Sequence, residues 1–137
     1  GPLAASSLHL PSFTFQVPAG FPSPAQDHME EVISLDELMS LRAPHTYLVR
    51  AIGHSMIGVG IFDGDILVVD RSIMPSDGQV VIAALNEEPV VKIFDHLDRQ
   101  IILRSANEKY PPRFVLEGDE LAVWGVVRYS IRLHSHV

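Results

Sequence analysis

The chain has no cysteine. Disulfides, thiolate metal sites and a thiol nucleophile are excluded with it. No apolar run comes near the roughly 20 residues that a membrane-spanning helix requires. The stretch Ile66–Val69 has strand length only. No charged n-region opens the chain, so no signal peptide is expected, and Gly1-Pro2-Leu3 reads as a cloning remnant. Positive charge is also scarce: 10 Lys and Arg stand against 17 Asp and Glu, a net charge of −7. A grip on DNA or on anionic lipid needs a basic patch, which this balance disfavours. Arg128 and Arg132 come nearest to a cluster and read as ordinary surface. These absences fit a cytoplasmic protein with no cofactor, no metal, no membrane contact and no direct nucleic-acid contact.

What is present suits one soluble domain. The 137 residues are 47% hydrophobic. A chain of this length buries roughly two thirds of its unfolded surface, enough to fold without a staple.

The first 26 residues differ from the rest. They contain no Asp, Glu, Lys or Arg, and they carry Pro2, Pro11, Pro18, Pro22 and Pro24. Proline at that density prevents helix and interrupts ladders. Residues 1–26 therefore read as an extended arm, and residues 27–137 as the domain. Within the arm, Phe13, Phe15 and Val17 alternate with Thr14 and Gln16. That period of two predicts a strand with one apolar face, suited to docking on a sheet edge or groove.

The segment "SLDELMSLR" predicts a short helix. Ser34 and Glu37 form a capping-box pattern, Leu38 and Leu41 share a face with Leu35 nearby, and Pro44 ends it. From Thr46 onward the patterning is β. Six or more short strands, broken by turns at Asp77-Gly78 and Asn86–Pro89, imply a compact, mostly antiparallel fold. "DELAVWGVVRYSIRL" supplies one long bent strand or two, with Gly125 at a kink or bulge.

Three positions bear on chemistry. Ser55 stands in "AIGHSMIGVG", between Gly53 and Gly58. It is either turn filler or a nucleophile. Glycines there leave room for another chain to approach, and the backbone N–H groups of His54, Ser55 and Met56 can converge on one spot as an oxyanion hole. A serine hydroxyl needs a base to take its proton. None of the seven histidines lies in a triad motif. His134 and His136 lack a third metal ligand. Lys92, in "EPVVKIF", either points outward from a strand or sits among Val90 and Phe94 on its own face. Apolar company disfavours the charged amine and makes it a general base. Ser55 and Lys92 would then form a Ser-Lys dyad.

At these residues the sequence resembles the LexA and UmuD self-cleaving serine peptidases, in particular the UmuD/MucA branch. The resemblance rests on "GHSMIGVGIFDGDILVVDRS", "DGQVVIAALNEEPVVKIF", the upstream "AGFPSPAQDHMEEVISLDELM" and the downstream "NEKYPP" and "WGVV", roughly residues 18–128. It implies a mostly β, signal-peptidase-like fold with an extended N-terminal arm and one short helix. It implies Ser55 as nucleophile, Lys92 as base and self-cleavage between Ala19 and Gly20. His54 stands where the family often has another residue, so its side chain is not expected to be required. The family role implies a homodimer of SOS mutagenesis. A RecA nucleoprotein filament stimulates self-cleavage, and the cut dimer serves a UmuC-type Y-family polymerase in translesion synthesis. A ligand that selects an arm-docked state would speed such a cut. The alternatives are the C-terminal part of a LexA-type or phage repressor, and a non-catalytic binding module of the same fold.

Overall fold

The computed structural model describes residues 9–13, 17, 19–20 and 30–135. The chain divides between Ala43 and Pro44 into two units.

In the first unit, β1 (His9–Phe13) pairs antiparallel with β2 (Glu30–Ser34). The strand is earlier than the alternation over residues 13–17 predicts, and residues 14–16 with Phe15 lie outside the described part. Pro11 sits inside this ladder, opposite Val32. A two-stranded sheet leaves each strand an open edge, where a missing N–H costs no ladder bond. The single-turn α1 (Leu35–Leu38) follows. Its N-cap is Ser34, as expected, but no side-chain capping bond forms. The helix stops at Leu38, well before Pro44, and Ser40 takes a positive φ of 54°. Leu35 and Leu38 are exposed, so the expected apolar face covers no core among the described residues. Ala19 and Gly20 lie in an exposed bend.

The second unit is one antiparallel sheet. Its strands are β3 (Thr46–Arg50), β4 (Ile66–Asp70), β5 (Val80–Leu85), β6 (Glu88–Leu97), β7 (Gln100–Arg104), β8 (Arg113–Phe114) and β9 (Leu121–Ile131). They run in the order β3-β4-β9-β5-β6-β7-β8. The mostly β expectation holds. Strands β4 and β5 are buried on both faces, which is why they read as unbroken apolar runs. One face packs Leu67, Val69, Ile82, Met56 and Ile61 together; the other packs Val81, Ala83, Phe94, Leu103 and Val126.

The "DELAVWGVVRYSIRL" segment becomes the single strand β9, which joins the two halves of the sheet. Its register slips opposite Ile82/Ala83, so Trp124 has no partner there, directly beside Gly125. The expected irregularity at Gly125 is therefore present.

Two hairpins set the register of β6. Asn86 and Glu87 both have positive φ, at 51° and 71°, and so do Asp98 and Arg99, at 48° and 68°. Two such residues between antiparallel strands make the turn whose twist matches the strands it joins. The first turn is Asn86-Glu87 alone. Pro89 is not part of it but pairs with Ala84 within β6. β7 covers only Ile93–Leu97 of β6, so Pro89 has an open side.

Candidate active site

Ser55 lies on the loop that leaves β3, just before a 3-10 turn at Ile57–Val59. Both ends of the loop are pinned. Ala51 N–H donates to Asp65 O at 2.8 Å, and Gly64 N–H to Ala51 O at 2.8 Å. Gly53, with φ 90°, turns its N–H onto Asp63 Oδ1 at 2.8 Å. Met56 anchors the loop from below, being only 3% exposed within the core. His54 is exposed.

A second segment holds the loop from the side. Ala106 N–H donates to Ser55 O at 2.7 Å, and Asn107 Nδ2 donates to His54 O at 2.9 Å. In a trans peptide the C=O of one residue and the N–H of the next point in opposite directions. The N–H groups of Ser55 and Met56 are thereby turned away from residues 106–107. Among the described residues neither has an acceptor. That geometry suits donors kept for a developing oxyanion.

The glycines serve these contacts. Gly58 N–H donates to Ala106 O at 2.7 Å, and a Cβ on Gly58 would meet that oxygen at 2.5 Å. The neighbour that Gly58 admits is this chain's own residue 106. No such crowding occurs at Gly53, which is needed for its backbone angle.

Lys92 stands in the middle of β6, with Val90 and Phe94 on its face and Val81 opposite. Of the expected apolar company, Val90 lines the cavity with Lys92, together with Ile82 and Val91, and Phe94 does not. Burial pushes the Lys92 amine below its ordinary value of 10.5. Its Nζ donates to Ser105 Oγ at 2.7 Å and lies 5.8 Å from the centre of the Tyr110 ring.

Ser55 and Lys92, 37 positions apart in sequence, line one cavity of about 500 Å³. Arg50, Ile52, Val90 and Trp124 share its wall. A hydroxyl and a partly desolvated amine on one cavity, with two backbone N–H groups beside the hydroxyl that have no acceptor among the described residues, are parts that acyl transfer can use. No group of His, Cys, Asp or Glu among the described residues is arranged to hold a metal. Sequence reasoning missed Ser105. The signal was the Asp98-Arg99 turn, which fixes the β6–β7 register and so places residue 105 across from residue 92.

The sequence pattern of the peptidase S24-like family matches residues 11–128. The chain belongs to the peptidase S24-like family. Protein SamA of Salmonella typhimurium is 43% identical over 117 residues, covering 85% of this chain and 81% of that protein. Protein MucA of Escherichia coli is 35% identical over 132 residues, covering 95% and 90%. A LexA repressor from Bordetella avium is 34% identical over 133 residues, covering 97% of this chain but 62% of the repressor. Membership is consistent with the mostly β fold and with peptidase chemistry at the level of the family. The match includes the Ser55 loop, β6 and the 105–107 segment.

Proposed function

We propose that this S24-like chain is a self-cleaving serine peptidase of SOS mutagenesis. Ser55 is the nucleophile, Lys92 the general base and Ala19–Gly20 the bond cut. The observation that carries this reading is the cavity shared by Ser55 and Lys92, lined also by Ile82, Val90 and Val91, with the amine partly desolvated by burial. Neutral Lys92 takes the Ser55 proton, and Oγ attacks the Ala19 carbonyl carbon. The backbone N–H groups of Ser55 and Met56 hold the oxyanion. The amine then returns a proton to the departing Gly20 nitrogen, and water releases the acyl group. Exposure of Ala19 and Gly20 gives the bond the accessibility that this requires.

The biological setting follows the branch that the chain resembles. A RecA nucleoprotein filament stimulates the cut, and the shortened chain, as a homodimer in the cytoplasm, serves a UmuC-type Y-family polymerase. None of the described helices is long and apolar enough to cross a membrane. The test is incubation of the purified chain at alkaline pH, or with activated RecA, followed by mass spectrometry. A new fragment beginning at Gly20 is expected. It should be absent from Ser55→Ala and Lys92→Ala. An uncut wild-type chain under both conditions overturns the reading.

A second reading is a LexA-type repressor part inactivated by the same cut, favoured by the 34% identity to a LexA repressor. Capture of a Y-family polymerase by residues 20–137 separates the two, since a repressor fragment has no use for it.

A further inference from the structure

We propose that the Ser105 hydroxyl is a positioning group that holds the Lys92 amine in place for its work as base. This rests on the Ser-Lys reading above.

The placement follows from register. Ile93 pairs with Arg104 as β7 ends, so Ser105 occupies the next position, opposite Lys92. Opposed residues of an antiparallel pair put their side chains on one face, close enough to touch. Here they do touch, with Nζ 2.7 Å from Oγ. Among the described residues, no carboxylate pairs with Lys92. A free lysine carries about 2 kcal/mol of rotamer entropy, so an unanchored amine spends little time in any one pose. A single short hydrogen bond in a half-buried site removes much of that freedom.

The same three residues also hold the nucleophile. Ser105 takes the amine, Ala106 bonds the Ser55 and Gly58 backbones, and Asn107 bonds the His54 carbonyl. The tripeptide Ser105-Ala106-Asn107 thus bonds both the Lys92 amine and the Ser55 loop. Its chemistry is simple. With one N–H committed to Ser105, neutral Lys92 keeps its lone pair free for the cavity. The proton leaves Ser55 Oγ for Nζ, and the electron pair stays on Oγ to form the bond to carbon. The ammonium so formed still donates to Ser105, which accepts without changing its own protonation.

The Ser105 hydroxyl and the Tyr110 ring contact the amine, and Ser55 and Arg50 line the same cavity, the Arg50 guanidinium donating to Gly64 O at 2.9 Å. Among the described residues, Ser105 is the one that accepts a hydrogen bond from the amine. Its hydroxyl therefore favours the charged form slightly, against the desolvation that disfavours it.

The test uses the full chain as wild type, Ser105→Ala and Ser105→Thr. The chain has two lysines, Lys92 and Lys109, so NMR titration of the ε-methylene groups resolves Lys92 with Lys109 as reference. Ser105→Ala is expected to move the Lys92 midpoint further down and to lower the limiting self-cleavage rate about tenfold, the worth of one such bond. Ser105→Thr, which keeps the hydroxyl, restores both. An unchanged Lys92 midpoint in Ser105→Ala overturns the proposal. So does a rate loss that threonine fails to rescue. If the wild type does not cleave at all, the Ser-Lys reading falls, and the midpoint shift still decides whether Ser105 holds the amine.

Discussion

The backbone of Ala106 presses directly on Gly58: the N–H···O bond is 2.7 Å, and a Cβ at residue 58 would lie 2.5 Å from the same oxygen. The partner atom is backbone within a segment tied at three further points, so it cannot simply swing away. Gly58→Ala should cost about 1–3 kcal/mol, the usual range for overpacking. On the proposed reading it should also slow self-cleavage, because Ser105 of the 105–107 segment bonds the Lys92 amine. Chemical denaturation and the cleavage assay measure the two effects. A variant within 0.5 kcal/mol of wild type, an ordinary surface value, would mean the loops separate freely.

The depressed Lys92 amine gives the pH dependence a sign. On the proposed reading Lys92 is the base and acts when neutral, so the cleavage rate should rise with pH and level off above the folded-state midpoint. Desolvation puts that midpoint below 10.5. Stability follows the same direction. The folded state binds the Lys92 proton less tightly than the unfolded state does. The buried charge is a burden below the folded midpoint, and it is relieved as pH rises towards 10.5. Rates measured across the alkaline range decide this. A profile still climbing above 10.5 would show an amine that burial has not perturbed.

Much of the fold is legible in the sequence, for identifiable reasons. β4 and β5 are buried on both faces, so their apolar runs are unambiguous. Lys92 could be singled out because Val90 and Phe94 share its face at a period of two. Other features depend on tertiary partners that no local pattern encodes. The Ser34–Glu37 pair has capping-box spacing, yet no side-chain cap forms and the helix ends after one turn. Pro11 and Pro89 suggest breaks in the sequence but lie in strands, each where an open edge makes the missing N–H harmless. The positive-φ turn at Asp98-Arg99 lacks glycine, so the register that brings Ser105 to Lys92 stayed hidden. The glycines beside Ser55 do not act alike: Gly58 admits Ala106, and Gly53 supplies a backbone angle.

Gly125 is a second site where space decides. A Cβ there would meet Val69 Cγ1 at 2.6 Å and Asp70 O at 2.9 Å. Val69 is fully buried, and β9 at this point pairs with both β4 and β5. Gly125→Ala should destabilise the domain by about 1–3 kcal/mol. Because Trp124 lines the cavity, its fluorescence should report the shift. Unchanged denaturation and unchanged emission would show that β9 accommodates the methyl group.

Arg132, which the sequence suggests is ordinary surface, clamps the far side of the Ser55 loop. Its Nε and Nη2 each lie 2.9 Å from an Asp65 oxygen, its Nη2 also reaches Gly60 O at 2.8 Å, and its guanidinium stacks 3.9 Å from the Phe62 ring centre. Asp65 is only 1% exposed. The Arg132 hydrogen bonds, helped by the Phe62 N–H and the nearby His134, hold its carboxyl below the usual 3.8 against the opposing effect of burial. A depressed folded pKa contributes stability that is present above 3.8 and lost as pH falls through the folded value. Arg132→Ala should therefore lower the thermal midpoint most at neutral pH. The gap to wild type should narrow under acid, where Asp65 is protonated in both proteins. Arg132→Lys should recover only part of it, because an ammonium cannot span both carboxylate oxygens. Thermal scans from pH 7 into the acid range measure the gap. One that stays constant throughout would reduce Arg132 to a packing residue and remove Asp65 as the group it serves.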